Sequence, residues 1–138
     1  GYLPDIMATI LDVTGTAYPQ TWENRSVEPL EGQSLVPAFA GDDIERAPMF
    51  WEHEGNAAVR IGKWKLVRNY PNPWELSDMA ADRTELHDLA VAHPERVTEM
   101  AQQYEAWAER CGVIPREKIL ALMKNQGVTR AFWEKPEV

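Results

Sequence analysis

Apolar residues near the start of the chain recur at three- and four-residue steps, which is the spacing of an amphipathic helix. The segment LPDIMATILDVTG, residues 3–15, places Pro4 in the first turn and Gly15 where a left-handed helix end is expected. Asp5 should complement the positive end of the helix dipole. The apolar stripe comprises Ile6, Met7, Ile10 and Leu11. These positions predict an N-terminal helix with one apolar face.

The same periodicity returns in the last third of the chain. Residues 93–112 predict the longest helix, with Pro94 at its start. Its apolar face carries Val97, Met100, Tyr104, Trp107 and Cys111. Because Cys111 shares this face, we interpret it as a core residue. A second helix is predicted over residues 115–127, ending at Gly127.

Between these helices the apolar pattern changes to the period of two that is typical of strands. β-branched and aromatic residues form four short runs, 50–54, 57–61, 64–69 and 74–79. The two-residue turn Gly62-Lys63 fixes the register of the two middle runs. The predicted pairs are Ile61 with Trp64, Arg60 with Lys65, and Val59 with Leu66. We expect the apolar members of these pairs to lie beneath the long helix.

The order of the elements predicts an α+β fold. It consists of a small antiparallel sheet of three to four strands packed against a long C-terminal helix, with an N-terminal helix and a further helical tail. The polar residues 17–33 predict a loop, and residues 34–41 a short helix with Ser34 as its N-cap. We therefore expect residues 1–138 to form one subdomain. Its parts would be a helix and connector in 1–48, the sheet in 49–79 and helices in 93–127.

The composition narrows the class of partner. The formal net charge of −8 argues against nucleic acid and anionic membranes, because both bind basic surfaces. No apolar run reaches the roughly 18 residues of a membrane span, and no signal-peptide pattern is present. The single cysteine forms neither an internal disulfide nor a zinc site. Because the chain starts within a predicted helix, we expect it to be part of a longer polypeptide.

The segment FWEHEGNAAVRIGKWKLV, residues 50–67, carries the candidate binding residues. Gly55 and Asn56 are expected to form a tight loop, with His53 just before it. A histidine and an asparagine at a loop tip can offer hydrogen bonds to a ligand. His53 beside Trp51 also fits a packed structural residue, and both interpretations stay open.

Arg60 and Lys65 are predicted to face each other, and two like charges across a strand pair repel. Glu52 and Glu54 are the expected acidic partners. The basic residues then either belong to a solvated ion-pair cluster or face an anionic ligand.

The sequence lacks the pattern of a complete active site. His87 and His93 have no metal-ligand spacing, and we interpret them as surface residues. There is no Gly-rich phosphate loop, nucleophile elbow or HExxH motif. The residues by themselves predict a soluble α+β domain with one candidate binding loop.

Several segments, in this order, resemble the C-terminal part of bacterial arylsulfatase-type enzymes of the formylglycine-dependent sulfatase family. DIMATILDVTG resembles the helix after the last core strands of the family's catalytic domain. PLEGQSLVPAFAG is similar to its G-x-S-L-x-P-x-x-x-G segment, and FWEHEGNAAVRIGKWKLV to its Trp-Glu-His-Glu-Gly-Asn block and R-x-G-x-W-K hairpin. WELSDMAADRTELHDLA and HPERVTEMAQQYEAWAERCGV resemble the closing strand, turn and helix. The resemblance covers residues 1–114.

This resemblance implies the C-terminal subdomain of a sulfatase that hydrolyses sulfate esters, without its catalytic domain. The family's nucleophile lies in a Cys/Ser-x-Pro-x-Arg motif, whereas Cys111 is followed by Gly112 and Val113. Catalytic and metal-binding residues are therefore expected to be absent here, and the chain alone is expected to be inactive. Ca²⁺ and formylglycine are implied for the parent enzyme.

The resemblance also implies partners. The subdomain would buttress the missing catalytic domain and help wall a cleft for a sulfated small molecule or glycan. His53, Asn56 and Arg60 are the candidates to contact that substrate. The surface left by the missing domain would allow the chain to form a homodimer, and the parent would be periplasmic or extracellular.

A free-standing carbohydrate-binding or interaction module is the alternative. Its platform would consist of Trp51, His53, Asn56 and Trp74. Glycan binding that is lost on Trp51→Ala or Asn56→Ala would favour this module.

Overall fold

The computed structural model describes residues 1–125. The chain forms two compact units, of which the first comprises Gly1–Met49 and the second begins at Phe50. The helices are α1 (Asp5–Thr14), α2 (Val36–Phe39), α3 (Pro94–Arg110) and α4 (Arg116–Asn125). The strands are β1 (Thr21–Trp22), β2 (Arg25–Ser26), β3 (Met49–His53), β4 (Asn56–Ile61), β5 (Trp64–Arg68) and β6 (Trp74–Asp78). The predicted α+β fold is confirmed.

The first unit contains α1 and a small hairpin. The helix ends at Gly15, which has a φ of 63° and donates its N–H to the Asp12 carbonyl oxygen, as predicted. The prediction of a loop over residues 17–33 is wrong in part, because β1 pairs with β2 inside it. Glu23 and Asn24 form the turn of this hairpin at positive φ. The sequence signal was weak because neither turn residue is glycine.

Asp5 has a role that its place in the first helical turn did not indicate. Its side chain is fully buried, and its carboxylate oxygens lie 2.8 Å from the Arg46 guanidinium nitrogens. The N–H groups of Tyr2 and Gln33 also donate to it. Burial alone would raise the pKa of Asp5, but these hydrogen bonds and the Arg46 charge outweigh it and lower the pKa. Asp5 therefore joins α1 to two later segments of the unit.

The residues before α2 run close to α1. A β-carbon on Gly32 would overlap the Pro4 carbonyl oxygen, so this approach requires glycine. The Leu35 N–H donates to the Thr9 hydroxyl at 3.0 Å. These contacts give a structural reason for the glycine that precedes the Ser-Leu pair in this segment.

The second helix is shorter than predicted. It covers Val36–Phe39 rather than residues 34–41, and Leu35 rather than Ser34 occupies the N-cap position. The Ser34 hydroxyl donates to the Asp12 carboxylate and accepts the Val36 N–H. Ser34 therefore binds the preceding helix as well as the start of its own.

The second unit contains a four-stranded antiparallel sheet in the order β3-β4-β5-β6. The predicted register between β4 and β5 is confirmed. The pairs are Ile61 with Trp64, Arg60 with Lys65, and Val59 with Leu66. β6 continues the sheet, with Leu76 opposite Leu66.

α3 packs on one face of this sheet, as predicted. The buried cluster consists of Ala57, Val59, Leu66, Leu76, Met100, Tyr104 and Ala108. Phe50 stacks on Trp107 at the edge of this cluster, with ring centroids 5.2 Å apart. Because strand side chains alternate between faces, these residues define an inner face under α3 and an outer face opposite to it.

Cys111 is not a core residue, which corrects the prediction. α3 ends at Arg110, and Cys111 is the exposed residue that follows it. Ala108 and Val113 make the core contacts at this end of the helix. The predicted stripe continued past the point where the helix stops.

The helix after α3 lies within the predicted limits. α4 spans Arg116–Asn125, and the predicted stop at Gly127 lies outside the described residues. None of the helices in residues 1–125 combines the length and the apolar character needed to cross a membrane.

Candidate functional site

The turn between β3 and β4 is formed one residue earlier than predicted. Glu54 and Gly55 form it, with φ angles of 55° and 88°, whereas Asn56 is the first residue of β4. The Glu52 carboxylate accepts the Gly55 N–H at 2.7 Å. This bond between a side chain and the backbone stabilises the positive φ angles, which glutamate rarely adopts by itself.

Gly55 also packs against a later part of the second unit. A β-carbon on Gly55 would lie 2.8 Å from the Arg116 β-carbon and 3.1 Å from the Tyr70 ring. The Arg116 guanidinium lies 3.8 Å from the Glu54 carboxylate. The turn is therefore a contact point for the first residue of α4.

The three predicted site residues lie on the outer face of the sheet. Phe50 and Val59 are on the inner face, so the alternation of side chains places His53, Asn56 and Arg60 on the other. His53 and Asn56 are exposed and flank the two-residue turn. Arg60 is four residues from Asn56, a distance of about 13 Å along a strand. The structure therefore brings His53 and Asn56 together and leaves Arg60 apart.

The polar atoms of these residues are occupied to different degrees. The Tyr70 N–H donates to Asn56 Oδ1 at 3.0 Å. The Asn56 amide can therefore still donate through Nδ2. Arg60 Nε donates weakly to the Gly62 carbonyl oxygen, at 3.4 Å. Within the described residues, the His53 ring has no hydrogen-bond partner.

The charge repulsion between Arg60 and Lys65 is relieved differently from the prediction. Lys65 Nζ lies 2.6 Å from Glu85 Oε1, so its partner comes from the loop after β6. Glu52 and Glu54 interact with the turn and with α4 instead. The prediction that they neutralise the basic pair is wrong. The Lys65–Glu85 pair is partly exposed and contributes about 0–1 kcal/mol.

A cavity of about 1140 Å³ opens between the loop after β5, α3 and the start of α4. Its charged lining residues are Glu52, Arg68, Glu105, Glu109, Arg116 and Glu117. Its aromatic lining residues are Tyr70, Trp74 and Tyr104. His53, Asn56 and Arg60 do not line it, so the cavity is separate from the predicted site residues.

Arg68 is one of the two arginines that line this cavity, the other being Arg116. It lies opposite Trp74 in the β5–β6 register. Its guanidinium carbon is 4.6 Å from the Trp74 ring centroid and 5.8 Å from that of Tyr104. Its Nε is buried without a hydrogen-bond partner. Cation–π contact with Trp74 therefore fixes the plane of the guanidinium.

The two tyrosines of the cavity ionise less readily than usual. Burial raises the pKa of Tyr70, and the hydrogen-bonded Glu117 carboxylate raises it further. Burial also raises the pKa of Tyr104, and the negative charge of Glu52 adds to this effect. Both phenols are therefore neutral near pH 7.

The aromatic platform of the alternative interpretation is not assembled. Trp74 contacts Tyr104 on the inner face, with ring centroids 5.5 Å apart. Trp51 follows the inward-facing Phe50 and therefore lies on the outer face. A flat ligand cannot stack on Trp51 and Trp74 at once.

The described residues do not fit the calcium ion or the formylglycine implied by the resemblance. Within residues 1–125, no group of three or more His, Cys, Asp and Glu side chains could hold a metal ion. Cys111 is exposed at a helix end, and Gly112 and Val113 follow it in place of the family's motif. No reaction step is therefore assigned to residues of the described region.

Two curated relatives are sulfatases. The chain is 28% identical over 118 residues to an uncharacterised sulfatase of Schizosaccharomyces pombe, which covers 80% of the chain and 21% of that protein. It is 35% identical over 94 residues to the choline-sulfatase of Rhizobium meliloti, which covers 62% of the chain and 17% of that protein. The chain is similar in sequence to part of these sulfatases. It spans about a fifth of the length of these relatives and corresponds to their C-terminal part.

Several solved structures share the fold of this chain. Ps i-CgsB in complex with k-i-k-neocarrahexaose has a TM-score of 0.60 at 24% identity, covering 75% of the chain and 23% of that protein. A protein in complex with its substrate D-glucosamine-2-N,6-O-disulfate has a TM-score of 0.57 at 22% identity, covering 83% and 25%. The phosphonate monoester hydrolase of Agrobacterium radiobacter has a TM-score of 0.52 at 25% identity, covering 77% and 24%. The chain matches no protein-family profile.

The sequence analysis did not predict the cavity beside Arg68. The walls of the cavity come from a loop, a strand and two helices that are distant in sequence. No local sequence pattern indicates that these elements lie close together in the fold. One signal was present, because extending the predicted strand pairing to β6 places Arg68 opposite Trp74. An arginine opposite a tryptophan is a common cation–π arrangement.

Proposed function

We propose that the chain is the non-catalytic C-terminal portion of a sulfatase, which buttresses the catalytic portion and helps wall its substrate cleft. The observation that carries this proposal is the match to two sulfatases, in which the matched region is 21% and 17% of the protein. A part of this size, whose described residues 1–125 include no set that fits the family's nucleophile and metal, is suited to support rather than to catalysis.

The reaction proposed for the longer protein is the hydrolysis of a sulfate ester. Both curated relatives are sulfatases, and two proteins of the same fold were crystallised with saccharide ligands, one of which is a disulfated glucosamine. A sulfated small molecule or glycan is therefore the proposed substrate class. The chain also shares its fold with a phosphonate monoester hydrolase, so a phosphonate monoester is the alternative substrate class. An assay should therefore include an aryl phosphonate beside an aryl sulfate.

The buttressing role is supported by the apolar face of α1. Leu3 is 78% exposed and Val13 69%, although both are large apolar residues. Ile6, Met7 and Ile10 are each more than half exposed on the same side of the helix. A contiguous exposed apolar face of this kind marks a protein interface. We propose that the catalytic portion covers it.

The outer face of the sheet supplies the proposed wall of the cleft. His53 has ring nitrogens without a partner among the described residues, and Asn56 retains its Nδ2 donor. The two side chains flank one turn and can bind neighbouring oxygen atoms of a substrate. Arg60 lies further along the same face, where it could pair with a second anionic group.

The reading frame upstream of Gly1 offers the first test of this proposal. It should encode a few hundred residues that contain a Cys/Ser-x-Pro-x-Arg motif. A stop codon immediately upstream would contradict the proposal.

A second test measures sulfate-ester hydrolysis by the longer protein after His53→Ala and Asn56→Ala. Each variant should raise KM roughly tenfold with a smaller change in kcat, because it removes a binding contact and leaves the reacting groups in place. Glu75→Ala, at an exposed position on β6, is the control and should leave both constants unchanged. An unchanged KM in both variants would exclude them from the cleft.

A further inference from the structure

The cavity beside Arg68 contains an unused hydrogen-bonding group. Lys63 and Lys65 of the same sheet each have a carboxylate oxygen at 2.6 Å. Arg68 has no carboxylate or carbonyl partner among residues 1–125, and its Nε is buried and unpaired. A guanidinium has five donors, so this side chain keeps nearly its full capacity to bind an acceptor.

Two of the four carboxylates that line the cavity, Glu52 and Glu117, act on other groups. Glu52 accepts the Gly55 N–H, and the charge of Glu117 acts on the Tyr70 phenol, whose pKa it raises. Trp74 holds the guanidinium plane, with its carbon 4.6 Å from the ring centroid. An arginine that is fixed by stacking and free of carboxylates is prepared to bind a planar or tetrahedral anion through parallel N–H bonds.

The other residues that line the cavity indicate which class of ligand bears the anionic group. Glu105 and Glu109 are exposed on α3 at the cavity and can accept hydrogen bonds from hydroxyl groups. Tyr70 and Trp74 add aromatic surface, which favours the apolar face of a sugar ring. The same carboxylates would repel a ligand with many negative charges. The cavity therefore suits a hydroxyl-rich ring with a single anionic group.

We propose that this cavity binds an anionic sugar, whose carboxylate or sulfate ester group pairs with Arg68 while its hydroxyl groups bind Glu105 and Glu109. The proposal deepens the proposed function and rests on it only for the choice of a sugar as carrier of the anion. It assigns a binding role to the inner-face side of the sheet, opposite to His53 and Asn56.

The test is a ¹H–¹⁵N NMR titration of the 138-residue chain, following the tryptophan indole signals, with glucuronate and with glucose 6-sulfate. Either ligand should shift the Trp74 signal in a saturable way, and comparison of the two shows whether the carboxylate or the sulfate ester is preferred. Glucose, acetate and inorganic sulfate should each bind at least tenfold more weakly. Equal binding of acetate would overturn the sugar assignment, and no shift with either acid would overturn the site.

Variants separate Arg68 from general effects. Arg68→Gln should weaken binding at least tenfold, and Arg68→Lys should restore only part of it because lysine lacks the planar fork. Arg83→Gln, at an exposed position in the loop after β6 that does not line the cavity, is the matched control and should bind as the parent does. Unchanged affinity in a folded Arg68→Gln would refute the proposal.

Should Arg68→Gln fail to fold, the exposed Glu105→Ala provides the alternative. It should weaken glucuronate binding with an unchanged thermal midpoint, and unchanged affinity would count against the site. The outcome is independent of sulfatase turnover by the longer protein, so failure of this inference and failure of the proposed function are distinguishable.

Discussion

Gly55 shows how a single residue in the His-Glu-Gly-Asn turn serves packing rather than ligand binding. Its φ of 88° belongs to the region that favours glycine, and a β-carbon would lie 2.8 Å from that of Arg116. The neighbours Glu52 and Asn56 bind the backbone N–H groups of Gly55 and Tyr70. Within this turn, His53 is the residue left with an exposed side chain and no hydrogen bond among the described residues.

Gly55→Ala should lower the free energy of unfolding by roughly 2–4 kcal/mol, from backbone strain of about 1–2 kcal/mol plus the overlap with Arg116. Gly62→Ala is the matched control, since Gly62 also has a positive φ, of 56°, but nothing within 4 Å of the added β-carbon. Gly62→Ala should lower the free energy of unfolding only by the backbone strain of about 1–2 kcal/mol. Urea unfolding of both variants measures the difference, and equal losses would show that the contact with α4 does not matter.

Asp82 organises the loop after β6 and makes folding sensitive to acid. Burial alone would raise the pKa of Asp82, but hydrogen bonds from His87, Thr84 and Leu86 outweigh it and lower the pKa to about 2. The unfolded value is about 3.9. Because the folded pKa is depressed, the stabilising contribution is fully present above the unfolded pKa and is lost as the pH falls through the folded one.

The difference in unfolding free energy between the parent chain and Asp82→Asn should therefore be constant above about pH 5 and shrink towards pH 2. Urea unfolding at a series of pH values measures it. A difference that is independent of pH would show that the Asp82 carboxylate is not held in its charged form by these hydrogen bonds.

The strand pairs and α3 followed from the sequence because their determinants are local. The Gly62-Lys63 turn fixed the register of β4 and β5, and the apolar stripe of α3 identified Met100 and Tyr104 as core residues. The β1–β2 hairpin was missed because Glu23 and Asn24 are an uncommon turn pair. Cys111 was misplaced because periodicity does not show where the packed part of a helix ends.

The binding features could be predicted less well, for a physical reason. His53 and Asn56 were found because a turn signal lies between them. The Arg68 cavity forms where β5, the loop after it, α3 and α4 come together. The periodicity of apolar residues predicts each element but not that these four elements are neighbours. The pairing of Arg46 with the buried Asp5 is equally non-local, with 41 residues between its members in sequence.

The exposed apolar face of α1 should make the isolated chain associate with itself. Ile10→Asp places a charge in that face, where Ile10 is 52% exposed, and should shift the chain towards monomer. Sedimentation velocity at several concentrations measures the change. Val91→Asp is the control, because Val91 is 94% exposed but lies outside this face. Equal sedimentation of both variants and the parent chain would argue against this face as an interface.

At the scale of the whole molecule, the chain has an antiparallel sheet with a closed core under α3 and an open apolar face on α1. It is similar in sequence to about a fifth of two sulfatases, in their C-terminal part. We therefore propose that the groups that hydrolyse the ester belong to residues of a longer protein, and that the present residues supply binding and support.

The most direct test compares the hydrolysis of 4-nitrophenyl sulfate by equimolar amounts of the full-length gene product and of residues 1–138. The full-length protein should release 4-nitrophenol, and the chain alone should not exceed a heat-denatured sample of itself. Turnover by the folded chain alone, or an inactive full-length protein, would contradict the account.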